Sequence, residues 1–142
     1  MQIAGTEATK SLVAYKHGCV AVVSGKIVAK GFNNYRTYSR DGLINHTCSC
    51  HAEIDVLRKC KKRNITKKIT LYIARIMRSD PYTLNISMPC TECYRTMKSF
   101  NIKRFVYSNR HGEIVNNNMI DFVSTFTSSG QSAISQDRVK LF

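Results

Sequence analysis

Apolar positions in this chain come in short runs separated by polar clusters, and the runs differ in character. Cys19-Val20-Ala21-Val22-Val23 is continuous and β-branched, and a second such run, residues 27–32, follows Ser24-Gly25-Lys26. Two runs joined by a short Gly-containing turn predict a β-hairpin. Residues 69–76 form a third β-branched run and residues 104–107 a fourth. Elsewhere the spacing becomes helical. Ile54 and Leu57 lie three apart within residues 51–62, and Tyr94, Met97 and Phe100 repeat at the same interval within residues 90–100. Both stretches predict helices with one inward stripe. Residues 6–14 predict a short first helix, with Thr6 as its cap and Leu12 and Val13 facing inward, and residues 116–126 predict a last one.

The segments between are polar. Residues 33–49 read as a long loop, and residues 77–88 as a second, with Asp80-Pro81 as its turn signal. Long loops in compact domains are often functional. The order helix, hairpin, helix, strand, helix, strand, helix needs crossovers between strands. The fold class is therefore α/β: a central mixed sheet, made of a hairpin and then strand–helix units, flanked by helices. No repeat or linker divides the chain, so residues 1–142 are expected to form one domain, with residues 127–142 as a mobile tail.

Composition narrows the function. At 142 residues and 43% hydrophobic, the chain is long enough for one real core. No apolar run approaches membrane-spanning length, and residues 1–14 lack the pattern of a secretion signal. The expectation is a cytoplasmic protein whose six cysteines are reduced. The formal charge of +13 attracts phosphate, on nucleotides or on polymers, and equally keeps a protein soluble. The basic run ending residues 51–62 also suits a solvated helix C-terminus.

Two motifs carry the chemistry. His51-Ala52-Glu53 supplies an imidazole and a carboxylate, and Pro89-Cys90-Thr91-Glu92-Cys93 supplies two thiols. Both fall at predicted helix starts, where partial positive charge favours thiolate. Successive strand–helix units bring such starts to one edge of a sheet, which sets His51 beside Cys90 and Cys93. Three protein ligands with a fourth position for water are the arrangement of catalytic zinc sites, whereas structural sites have four. Zn2+ is thus the expected cofactor, with His51, Cys90 and Cys93 as ligands. Glu53 is not needed as a ligand and is assigned as the proton shuttle. Taken alone, it would read as an N-terminal carboxylate facing the helix dipole.

The order His-x-Glu then Pro-Cys-x-x-Cys resembles the zinc-dependent cytidine and deoxycytidylate deaminase superfamily. The likeness runs from about residue 18 to residue 126. Asn85-Ile86-Ser87-Met88-Pro89-Cys90 is similar to small viral deoxycytidylate deaminases of the chlorovirus type. His at position 51 is typical of deoxycytidylate, polynucleotide and some riboflavin-pathway deaminases, where free-cytidine deaminases commonly have Cys. The resemblance implies hydrolysis of deoxycytidylate to deoxyuridylate and ammonia, a pyrimidine nucleotide as partner, and a homo-oligomer between dimer and hexamer. It also implies contacts. Asn33, with Asn34 as competitor, meets the sugar. The Ala52 N–H meets the base carbonyl, and a backbone oxygen of Ser87 or Met88 meets the amine. Tyr107 stacks on the substrate or packs in the strand. Asp55 stands where the family often has Asn, and near a phosphate it needs a cation to offset it.

Cations for a phosphate are Arg36 and Arg40, which flank Tyr35 and Tyr38, and Arg75 or Arg78 before the second motif. His46, Cys48 and Cys50 cluster before His51; a second zinc there needs a fourth ligand such as His17 or His111. Three readings stay open: a mononucleotide deaminase, a deaminase of cytosine or adenine in an exposed strand, and a catalytically silent zinc module. The intact Glu53 argues against the last.

Overall fold

The computed structural model describes residues 1–13, 15–36, 39–44, 50–77 and 84–119. Within them lie α1 (Gln2–Ala8), β1 (Lys16–Val23), β2 (Lys26–Phe32), α2 (Ala52–Lys62), β3 (Ile69–Ile76), β4 (Leu84–Asn85), α3 (Thr91–Lys98), β5 (Ile102–Ser108) and β6 (Ile114–Asn118). The main sheet runs β2-β1-β3-β5-β6, with the two-residue β4 paired to the end of β3. Among the described strands only the β3–β5 pairing is parallel, and α3 lies on the connection between them. The fold is the expected mixed α/β sheet.

Alternation along the strands sorts the faces. Cys19 and Ala21 of β1, Leu71 and Ile73 of β3, and Phe105 and Tyr107 of β5 point to one face, with Val56 and Leu57 of α2 and Met97 of α3. Val20 and Ala74 point to the other, against Ala4 of α1. Fully buried side chains such as Leu71 and Phe105 hold the layers together; truncating one typically costs about 2–5 kcal/mol.

The hairpin forms as predicted, closing on Ser24 and Gly25, both at positive φ, which matches the twist of two-residue turns. Two elements differ from expectation. The first helix is Gln2–Ala8, and Thr6 sits inside it, its hydroxyl donating to the Gln2 carbonyl at 3.1 Å. Leu12 lies outside the helix and is 86% exposed. The helix is placed by a close approach: a Cβ on Gly18 would come within 2.0 Å of the Ala4 oxygen. Residues 116–118 are strand, not helix: β6 pairs antiparallel along β5 from Ile114 to Asn118. The turn before it is built by Asn109, whose side-chain oxygen accepts from the N–H groups of His111 and Glu113. Pairing with β5 overrides the local pattern there. The expected tail and residues 120–126 of the last predicted helix lie outside the described residues, as do the Asp80-Pro81 turn, Tyr38, His46, Cys48 and Arg78.

Among the described residues, no helix is long and apolar enough to cross a membrane.

Candidate active site

His51 and Cys90 occupy matching positions. Each is the N-cap of its helix, with extended backbone (ψ 154° and 167°), and neither caps with its side chain. Their carbonyls accept the first helical bonds, from Asp55 N–H at 3.0 Å and Tyr94 N–H at 2.9 Å. The side chains are thereby free to turn toward each other. His51 Nδ1 lies 3.0 Å from Cys93 Sγ and 3.5 Å from Cys90 Sγ. The ligand atoms of all three residues fall within 4.8 Å of one another. Tetrahedral zinc with ordinary Zn–S and Zn–N bonds separates its ligands by about 3.5–3.8 Å. One imidazole and two thiols therefore fit zinc in number, softness and spacing.

The surroundings are dry. Ile44, Cys50 and Ile54 pack with Cys90 and Cys93, so the first loop folds one apolar side chain against the thiols. An isolated bridge between Asn34 and Cys50 pins that loop next to His51.

Proton affinities here are set by neighbours. Cys90 is held down at about 4, first by a hydrogen bond from Cys93 and further by His51, against the opposing effect of burial. Cys93 is pushed well up by the same bond and by burial. Burial alone would lower His51, but its bond with Cys90 and the charge of Glu53 reverse the direction, and it ends up raised. Glu53 is only 5% exposed. Burial and the Cys90 thiolate raise its pKa, while His51 and a hydrogen bond with Cys93 act against the shift. A carboxyl moved toward neutrality beside a reactive centre suits proton transfer.

The other expected site residues spread more widely. Ala52 is buried at the first helical position of α2. Ser87 is buried, with its hydroxyl donating to the Ile73 carbonyl and sharing a 3.0 Å bond with Ser108. Asn33 is buried and ties down the start of β1: its oxygen accepts from the His17 N–H, and its amide donates to the Tyr15 carbonyl. Each of those atoms retains capacity for one further bond. Tyr107 sits in the core, 5.8 Å from the Phe105 ring, with its hydroxyl accepting from Asn117. Arg36 is exposed, and its charge reaches Cys50. Arg40 is exposed in a turn tied to the flank of α2 by the Asp41–Arg58 ion pair at 3.2 Å. Asp55 faces β2, not the triad: it accepts from the Phe32 N–H and pairs with Lys59. A Cβ on Gly31 would come within 2.6 Å of that carboxylate, which explains the glycine.

His17, which the sequence offers only as a fourth ligand for a second zinc, lies on the face shared with Cys19, close enough to feel the charge of His51. Its strand parity, in phase with Cys19, Ala21 and Val23, was the available signal.

The structure of a dCMP deaminase from the cyanophage S-TIM5 in apo form is similar to this chain, with a TM-score of 0.55 and 20% identity over 76% of this chain and 78% of the other. The same phage enzyme in complex with dCMP and dUMP gives 0.52 and 21% over 76% and 74%. A cytidine deaminase from Burkholderia pseudomallei gives 0.60 and 17% over 84% and 90%. No curated protein sequence matches the chain. At these identities the likeness is one of fold. The family model described as the cytidine and deoxycytidylate deaminase zinc-binding region matches residues 1–109, which take in both helix starts, all three converging ligands and Glu53. With so much of the chain matched, it belongs to the cytidine and deoxycytidylate deaminase zinc-binding family.

Proposed function

We propose that this protein hydrolyses the exocyclic C–N bond of deoxycytidylate, giving deoxyuridylate and ammonia. The observation that carries the reading is Glu53: a buried carboxyl of raised pKa, hydrogen-bonded to one member of the His51–Cys90–Cys93 triad. Bound by that triad, Zn2+ supplies the Lewis acidity that makes water nucleophilic near neutral pH. Glu53 takes the proton released by water and delivers it to the ring nitrogen next to the amino-bearing carbon. A second proton then passes through Glu53 to the amino group, which leaves as ammonia. Burial beside Ile44 and Ile54 excludes competing water. Asn33 and the backbone of Ala52 and Ser87 hold sugar and base in this reading, and Arg36 approaches from the first loop.

The mononucleotide is preferred over a strand because of where the cations lie. Lys61, Lys62, Arg63, Lys67, Lys68 and Lys103 are exposed at the end of the sheet where α2 stops and β3 and β5 begin. The 11 residues of α2 put this end roughly 16 Å from the triad. These cations attract phosphate but do not line the pocket around the triad. The phage enzyme with dCMP and dUMP supports the same choice by fold alone. Self-association is part of the proposal and is read by sedimentation.

The test is ammonia release over cytidine, deoxycytidine, their mono- and triphosphates, and a short single strand. Turnover should be highest on deoxycytidylate. Turnover only on the strand, falling steeply with salt, would assign the polynucleotide reading instead.

A further inference from the structure

The rows of side chains across the sheet change character at the end where α2 and α3 begin. Gly31, Cys19 and Ile73 lie side by side on β2, β1 and β3, on the face that carries both helices. One step further toward the triad the row becomes Asn33, His17 and Arg75. A core-facing row turns polar where it stops being core. The charge of Glu53 reaches Cys19 in the first row, and that of His51 reaches His17 in the second, so the polar row lies against the first turn of α2.

Arg75 is half-buried in this row. Its guanidinium lies 4.8 Å from the centre of the Tyr15 ring, which forms a flat shelf for it. Among the described residues, none of the ion pairs involves Arg75. A partly desolvated guanidinium whose fork of N–H donors meets no carboxylate among the described residues is suited to receive an anion brought from outside. His17 beside it adds no charge. Its Nδ1, 3.2 Å from the Tyr15 carbonyl, must be the donor, since a carbonyl only accepts. That leaves Nε2 as an acceptor for a hydroxyl. Burial first, and the charges of Arg75 and His51 after it, hold His17 down at about 4, in keeping with a neutral ring.

We propose that Arg75, shelved on Tyr15 and flanked by His17, is the receptor for the substrate's 5′-phosphate, with His17 accepting from a sugar hydroxyl. This rests on the deoxycytidylate reading and narrows it. Arg36 and Arg40 are exposed, Arg40 in a turn that Asp41 anchors to α2 through Arg58, whereas Arg75 is half-buried and shares a sheet row with His17, which feels the charge of His51.

The test measures kcat/KM for deoxycytidylate and deoxycytidine in zinc-loaded wild type, Arg75→Ala, Arg75→Lys and, as a remote control on α3, Arg95→Ala. Calorimetric affinities of both ligands are measured in parallel on Glu53→Gln protein with and without Arg75→Ala. The preference for the monophosphate should fall at least about tenfold in Arg75→Ala, less in Arg75→Lys, and not in Arg95→Ala. The affinity gap between the two ligands should shrink in step. Should Arg75→Ala fail to fold, Arg75→Lys and Tyr15→Leu decide, each lowering the preference if the proposal holds. A wild-type preference that survives Arg75→Ala within about twofold overturns the assignment and leaves the deoxycytidylate reading intact. A wild type with no preference for the monophosphate overturns that reading, and this assignment with it.

Discussion

The two ends of the sheet treat charge in opposite ways. Where α2 and α3 begin, ionisable groups are buried and set one another: Cys90 is held at about 4, while Glu53 and His51 are raised. Where those helices stop, Lys61, Lys62, Arg63, Lys67 and Lys68 stand in solvent. A group in the first environment has its proton affinity decided by its partners. A cation in the second is screened and contributes little to any single contact. The net charge of +13 counts both ends together and so points toward polyanions in general. Its location points elsewhere: Lys61, Lys62, Arg63, Lys67 and Lys68 lie at the end of the sheet opposite His51, Cys90, Cys93 and Glu53.

The contrast is broken most severely at Glu53. Glu53→Gln keeps the volume and removes the titrating group, so turnover should fall by about 10²–10⁴-fold while zinc stays bound. Steady-state kinetics with metal analysis on the same preparation checks it. Near-normal turnover would return Glu53 to the role of a helix-end carboxylate.

His17 sharpens the comparison through pH. Its folded pKa of about 4 lies below the ordinary 6.5, so the unfolded chain binds the proton first as pH falls. Its contribution to stability is present above about pH 6.5 and is lost as pH drops toward 4. The slope for one such proton is about 1.4 kcal/mol per pH unit. Arg75 on β3 and His51 on α2 are the charges facing it. Denaturant unfolding of wild type and His17→Gln between pH 7 and 4.5 should show a shallower decline in the variant. Parallel declines would show that folding does not lower the proton affinity of His17.

The far end should matter least. Reversing Lys62, Lys67 and Lys68 to Glu should change kcat/KM on deoxycytidylate by less than about twofold, while weakening retention on a polyanion column. A large loss of nucleotide turnover would mean that this end does communicate with the triad.

How much of this was legible in the sequence follows from which interactions are local. The triad could be read because ligands must be spaced to meet one ion, and because His51 and Cys90 each open a helix. The hairpin could be read because Ser24-Gly25 can hold positive φ. Helix α1 could not be placed, because its position depends on Gly18 touching the backbone of Ala4, a contact between segments with no local mark. Strand β6 was hidden because Asn116, Asn117 and Asn118 favour no strand by themselves and pair only because β5 is there. Asp55 carries no local sign that its carboxylate belongs to the Phe32 N–H and Lys59 and not to a phosphate. The row of Asn33, His17 and Arg75 needed the strand registers, which alternation within one strand does not supply.

The chemistry of the site depends on His51, Cys90 and Cys93 holding one metal between two helix starts. Elemental analysis of freshly purified protein tests this most directly, in wild type and in Cys90→Ala. The account expects about one zinc per chain in the wild type, and in Cys90→Ala its loss together with a lower unfolding temperature, because metal binding and folding are coupled. Wild-type protein without zinc, or Cys90→Ala with its zinc intact, would contradict it.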